Sequence, residues 1–136
     1  MEIFEFKSQI CTAKEQSEKL LALGLKKETA DMMYVSTEAT CMGRPIPEED
    51  RHYEPILSPY TLPFGKYAIH IPAWSLHRLL FLIPKEVNID GFKFPLRSDA
   101  IMRLEDADNM YERLIGIIER VIEQGYFNKD YLEEGV

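Results

Sequence analysis

Three features of the sequence predict an α+β fold: a long amphipathic stretch near the C-terminus, an Asp-Gly dipeptide between alternating apolar residues, and a capped apolar segment near residue 20. They predict a three-stranded antiparallel meander packed against two or three helices. With 136 residues, the chain is read as one domain, residues 1–136, built around a single core.

The first helix is placed at about 13–23. Thr12 and Glu15 match a capping box, Leu20, Leu21 and Leu23 supply an apolar face, and Gly24 offers a left-handed C-terminal cap. A helical turn at about 27–32 follows, then a short strand through Met33-Tyr34-Val35-Ser36-Thr37. From Cys41 to about Lys66 the chain changes character, because five of its eight prolines fall there: Pro45, Pro47, Pro55, Pro59 and Pro63. Proline removes an amide donor and pushes its predecessor toward extended geometry, so no long helix or central strand is expected. The block reads as a proline-rich connecting loop, about 41–66.

Tyr67 to Ile71 reads as a short strand or an extended entry, and Pro72 as the first turn of a helix over about 73–83 that stops at Pro84. Asp90-Gly91 joins Glu86–Ile89 to Phe92–Phe94 as a hairpin, since a type I′ turn needs positive φ. Ile101, Met102 and Leu104 place the third strand of the meander at about 100–105. The last helix spans about 107–124, where Met110, Leu114, Ile117, Ile118, Val121 and Ile122 recur at helical spacing. Asp106 or Asp108 caps its start, Gly125 ends it, and Asn128 caps a short turn in the tail. Helices 73–83 and 107–124 are expected on one face of the meander, with helix 13–23 beside them. Tyr111 and Ile115 widen the apolar stripe, so a homodimer through helix 107–124 or a sheet edge is expected.

Composition narrows the function. Sixteen Lys and Arg against 23 Asp and Glu leave a net charge of −7. Residues 1–98 are nearly balanced, with 13 acids and 12 bases, whereas residues 99–136 hold 10 acids and 4 bases. That balance disfavours a nucleic-acid surface and disfavours phosphate most firmly at the C-terminal end. An anionic ligand near Arg44, Arg51 and Arg78 stays open. Residues 12–33 have the outline of a helix-turn-helix, but Lys26 and Lys27 sit beside Glu28 and Asp31, a poor charge pattern for phosphate. The longest apolar run, Leu79 to Ile83, is far short of the roughly 20 residues that span a bilayer. The first residues lack a basic and an apolar region of the secretory kind, and two cysteines make no disulfide framework. A cytoplasmic location is expected.

Known catalytic and cofactor motifs are missing. There is no phosphate-cradling glycine loop, no C-x-x-C, no H-E-x-x-H and no G-x-S-x-G, so no cofactor or metal is expected. Cys11 precedes the inferred cap Thr12, where a helix N-terminus lowers a thiol pKa, but no particular histidine is assigned to activate it and it is read as a plain semi-buried residue. Helix 73–83 is the more informative element. Leu76, Leu79, Leu80 and Ile83 share one face, and Trp74, His77, Arg78 and Phe81 share another. Trp74 and Arg78 stand at i, i+4, the spacing of a cation–π contact, and both residue types are enriched at binding hot spots. The plainer reading, which outweighs it, puts Trp74 and Phe81 in the core under the proline-rich block with Arg78 reaching outward.

The segments Thr12-Ala13-Lys14-Glu15-Gln16-Ser17, Leu20-Leu21, Gly24-Leu25 and Thr29-Ala30-Asp31-Met32, with Ile71-Pro72-Ala73-Trp74-Ser75-Leu76 and Glu123-Gln124-Gly125-Tyr126-Phe127-Asn128-Lys129, resemble a group of small uncharacterised bacterial proteins that also occur in prophage-like regions. The resemblance implies a bacterial cytoplasmic protein of mobile-element origin, and it carries no residue roles. The expected function is a non-enzymatic binding or accessory protein that contacts an unidentified protein or small ligand. Its surface would combine the proline-rich loop, with Arg44, Arg51 and Tyr53, and the helix carrying Trp74, His77 and Arg78. The alternative is a small enzyme with its site between that loop and helix, using some of Cys11, His52, His70, His77 and Arg78.

Overall fold

The computed structural model describes residues 8–36, 40, 41, 44, 45, 54–57 and 69–134. Helix α1, Lys14–Ala22, opens with a variant of the expected box. Gln16, rather than Glu15, reaches back to accept from the Ala13 amide at 2.8 Å. Thr12 lies just outside the helix, and its hydroxyl instead meets Ser17 Oγ at 2.8 Å and accepts from the Trp74 amide at 3.0 Å. The helix ends at Gly24, whose φ of 102° suits a residue with no Cβ. A single 3-10 turn, Lys27–Thr29, follows. The chain then becomes strand, so no second helix completes a helix-turn-helix.

Strand β1, Met32–Ser36, is the centre of a three-stranded antiparallel sheet. The two-residue strands β2, Thr40–Cys41, and β3, Arg44–Pro45, form a ladder of their own. Strand β4, Glu54–Leu57, flanks β1 with Met33 opposite Ile56, and β5, Ile69–Ala73, flanks its other side with Tyr34 opposite Ile71. Pro55 and Pro72 both stand on these outer strands, where a missing amide need not break the ladder. Pro72 therefore does not open a helix. Helix α2, Leu76–Leu82, starts later, because Ser75 caps it by accepting from the Arg78 amide at 3.1 Å.

The expected meander forms only in part. Strands β6, Val87–Ile89, and β7, Phe92–Phe94, make the hairpin, turning through Asp90 at φ 49° and Gly91 at φ 84°. The third leg is a helix, α3, Leu96–Arg103, not a strand at 100–105. Leu96, Ala100 and Leu104 fall at i, i+4 and i+8 and turn toward the core, while Ile101 and Met102 are exposed. Asp99 adds an acid to the first turn and bonds Arg103 one turn on. The fold is α+β, with its three-stranded sheet drawn from other segments and ordered β4-β1-β5.

Helix α4, Met110–Glu123, organises the core. It is capped by Asn109, whose side chain accepts from the Glu112 amide at 3.0 Å, rather than by Asp106 or Asp108. Tyr111, Leu114, Ile115, Ile117, Ile118 and Val121 are all buried. Each such side chain contributes about 1.5–3 kcal/mol on removal from water. Helices α1, α2 and α3 all pack against α4, so the helices cluster around one another rather than lying on a meander. Cys11, Met32 and Ala73, with Tyr34 packed against them, form a smaller apolar cluster where the sheet meets the N-terminal segment. The tail turns at Asn128, which accepts from the Asp130 amide, buries Phe127, and pairs Leu132 with Leu25.

Candidate functional site

The loop after α1 is tied to the start of α2 by polar contacts. Asp31 accepts from the Ser75 amide at 2.8 Å and from its hydroxyl at 2.5 Å. The Trp74 indole donates to Thr29 Oγ1 at 2.9 Å, and Thr29 donates to the Lys26 carbonyl at 2.7 Å. Trp74 is wholly buried, so the core reading of this residue holds, and its contribution to the surface is to fix the Thr29 rim.

On the outer side of α2, His77 and Arg78 are exposed, and Phe81 is 51% exposed, so it does not join Trp74 in the core as that reading expects. The His77 ring lies 4.5 Å from that of Phe81, tilted by 35°. The partner of an aromatic ring here is Arg97, not Arg78: the Arg97 guanidinium sits 4.7 Å from the Phe81 centroid. It is held there by two carbonyls at the end of α2, with Nε donating to Ile83 O at 3.0 Å and Nη2 to Phe81 O at 3.1 Å. These are orphan carbonyls of a helix C-terminus, where a cation is favoured.

An open groove of about 520 Å³ runs beside this face, lined by Lys26, Glu28, Arg78, Phe81, Arg97 and Asp130 among others. Three cations and two carboxylates surround an exposed aromatic ring. Such a groove can take an anionic group next to an apolar one, and the Thr29 hydroxyl on its rim is committed to the Lys26 carbonyl. His77 and Arg78 are thus brought to one face, although only Arg78 lines the groove. Arg44 is placed as backbone in β3 and His70 as backbone in β5. Arg51, His52 and Tyr53 lie outside the described residues. Arg97 and Lys26 were missed, because their approach to α2 depends on tertiary contacts with no local sequence signal.

Cys11 is 1% exposed, a free thiol donating to Tyr34 Oη at 3.4 Å. Burial pushes its pKa up, with the Tyr34 hydroxyl pulling the other way. That is the environment of an inert core thiol rather than an activated one. The α2 groove takes in Arg78 but neither Cys11 nor His77. No helix among the described residues is long and apolar enough to cross a membrane. No protein-family model, curated protein or solved structure matches the chain.

Proposed function

We propose that this chain is a non-enzymatic binding protein whose contact surface is the outer face of α2 with Arg97 and Lys26. Its partner is an acidic protein segment carrying an aromatic or large apolar side chain. One observation carries the reading: Phe81 is half in solvent, yet its neighbours His77 and Arg97 hold it in a fixed setting. An aromatic anchor ordered before binding loses little freedom on association, and Arg is enriched at such hot spots. The excess of cations over carboxylates in the groove favours an acidic partner.

A cytoplasmic setting belongs to the same reading, supported by the buried free thiol of Cys11. The mobile-element origin rests on the sequence resemblance alone. The homodimer also belongs here, narrowed from the two expected surfaces to the sheet edge. The apolar stripe of α4 is covered within the chain, so a second copy would meet the hairpin edge, where Ile89 and Phe92 are exposed.

The test is an amide-resolved titration of the full chain with short acidic peptides that each contain one aromatic residue. Saturable shifts in residues 26–29, 76–82 and 97 are expected, weakened about tenfold by Phe81→Ala and again by Arg78→Glu. Shifts that survive both substitutions, or no saturable binding by any peptide, would sink the reading.

A further inference from the structure

A second groove, of about 170 Å³, lies between α3 and α4 beside the end of β7 and shares no lining residue with the α2 groove. Arg103 of α3 and Arg113 and Arg120 of α4 line it, with Asp99, Phe94 and Ile117. Arg113, Ile117 and Arg120 stand at i, i+4 and i+7, so helical geometry sets them on one stripe. These three arginines are three of only four bases in residues 99–136, a segment with ten acids. In so acidic a segment each would be expected to find a carboxylate on its own helix. Arg103 does, with Nε on Asp99 Oδ2 at 2.7 Å. Among the described residues no ion pair engages Arg113 or Arg120. Three guanidiniums and one carboxylate leave a local charge of +2 in the groove.

We infer that this groove is an anion site for a phosphate monoester on a compact apolar body. A phosphate monoester carries about −1.5 to −2 at neutral pH, which matches the local excess. Guanidinium forks match phosphate oxygens in pairs, and Asp99 already orders one of the forks. Phe94 and Ile117 supply apolar contact for the rest of the ligand. The volume of about 170 Å³ lies below the roughly 300–1,000 Å³ of sites for larger ligands, which favours a compact body at the point of contact. The phosphate can come from a free small ester or from a phosphorylated side chain; both present the same chemistry.

The experiment is titration of the full chain at low salt, followed by backbone amide NMR, with inorganic phosphate and with phenyl phosphate. Saturable shifts in residues 94–103 and 113–124 are expected, with phenyl phosphate binding severalfold tighter. Arg113→Gln and Arg120→Gln should each weaken binding about tenfold, the loss of one charge-assisted contact. Arg113→Lys and Arg120→Lys keep the charge but lose the fork, and should weaken it less. Shifts at 98–103 and 113–124 are read separately from those at 26–29 and 76–82, which separates failure here from failure at α2. The same phosphophenyl group placed in a short neutral peptide tells the sources apart. Tighter binding than the free ester names a modified partner, weaker binding names a small molecule, and both support the site. No saturable shift, equal affinity for the two probes, or unaltered affinity in the Arg113→Gln, Arg120→Gln double variant would overturn it.

Discussion

The Trp74 indole N–H and the Thr29 hydroxyl meet at 2.9 Å, joining the entrance of α2 to a turn 45 residues earlier in the chain. Thr29 relays the contact to the Lys26 carbonyl, so one buried ring holds the rim of the candidate groove. Trp74→Phe is expected to destabilise the fold by about 1 kcal/mol, the net value of a hydrogen bond. Trp74→Ala is expected to cost about 3–5 kcal/mol through the cavity it leaves. Urea unfolding of both variants checks this. An Ala variant as stable as the native chain would show that the ring is not part of the core. Trp74→Ala is accordingly a poor probe of binding, and Phe81→Ala a better one.

Asp31 and Ser75 act as a pair. Asp31 accepts twice from Ser75, and Ser75 in turn caps α2 through the Arg78 amide. Asp31→Ala is expected to cost about 1–3 kcal/mol and Ser75→Ala about 1 kcal/mol. A double-mutant cycle should return a coupling of about 0.5–3 kcal/mol. Strictly additive losses would mean the two residues stabilise α2 independently.

Alkali should weaken the fold. Burial is the largest cause of the raised pKa of Cys11, Tyr34 and Tyr111, so the folded chain holds these protons more tightly than the unfolded one. The stability they contribute is fully present below the unfolded pKa values and is lost as pH rises toward the folded ones. The loss begins above about pH 8.5 for the thiol and about pH 10 for the phenols. Melting temperature against pH should fall across that window, and Cys11→Ala should remove the earlier part of the fall. A flat profile to pH 11 would contradict it.

Self-association has a direct test at the hairpin. Light scattering at micromolar concentration should give about twice 15.9 kDa for the native chain and 15.9 kDa for Phe92→Lys. A native mass of 15.9 kDa removes the dimer.

The elements legible in the sequence are those whose signals are local. The apolar period of α4, the Asp90-Gly91 turn, Gly24 after α1 and the Asn128 cap each act within a few residues, and each is present. Helix α3 is hidden in the sequence because Ile101, Met102 and Leu104 suit a strand. The i, i+4 pair Asp99 and Arg103 and the spacing of Leu96, Ala100 and Leu104 were the better guide. Pro72 was misread for a different reason. A proline permits a helix start and an outer strand equally, and the choice was made by pairing with β1, which is distant in sequence. The α2 face was half legible: His77, Arg78 and Phe81 share a helix, whereas Arg97 reaches Phe81 only through the folded hairpin connection.

The order of strands also bears on how the chain is made. The strand that ends up in the middle is synthesised first, and its partners follow at Glu54–Leu57 and Ile69–Ala73. At about 5–20 residues per second, the ribosome needs roughly 2–7 s after Ser36 to deliver the last residue of β5. During that interval Met32-Met33-Tyr34-Val35-Ser36 is an apolar, strand-forming segment with unpaired backbone on one or both sides. The nascent chain is therefore most open to mispairing before its central strand is enclosed, and a chaperone that shields extended apolar segments would act on it then.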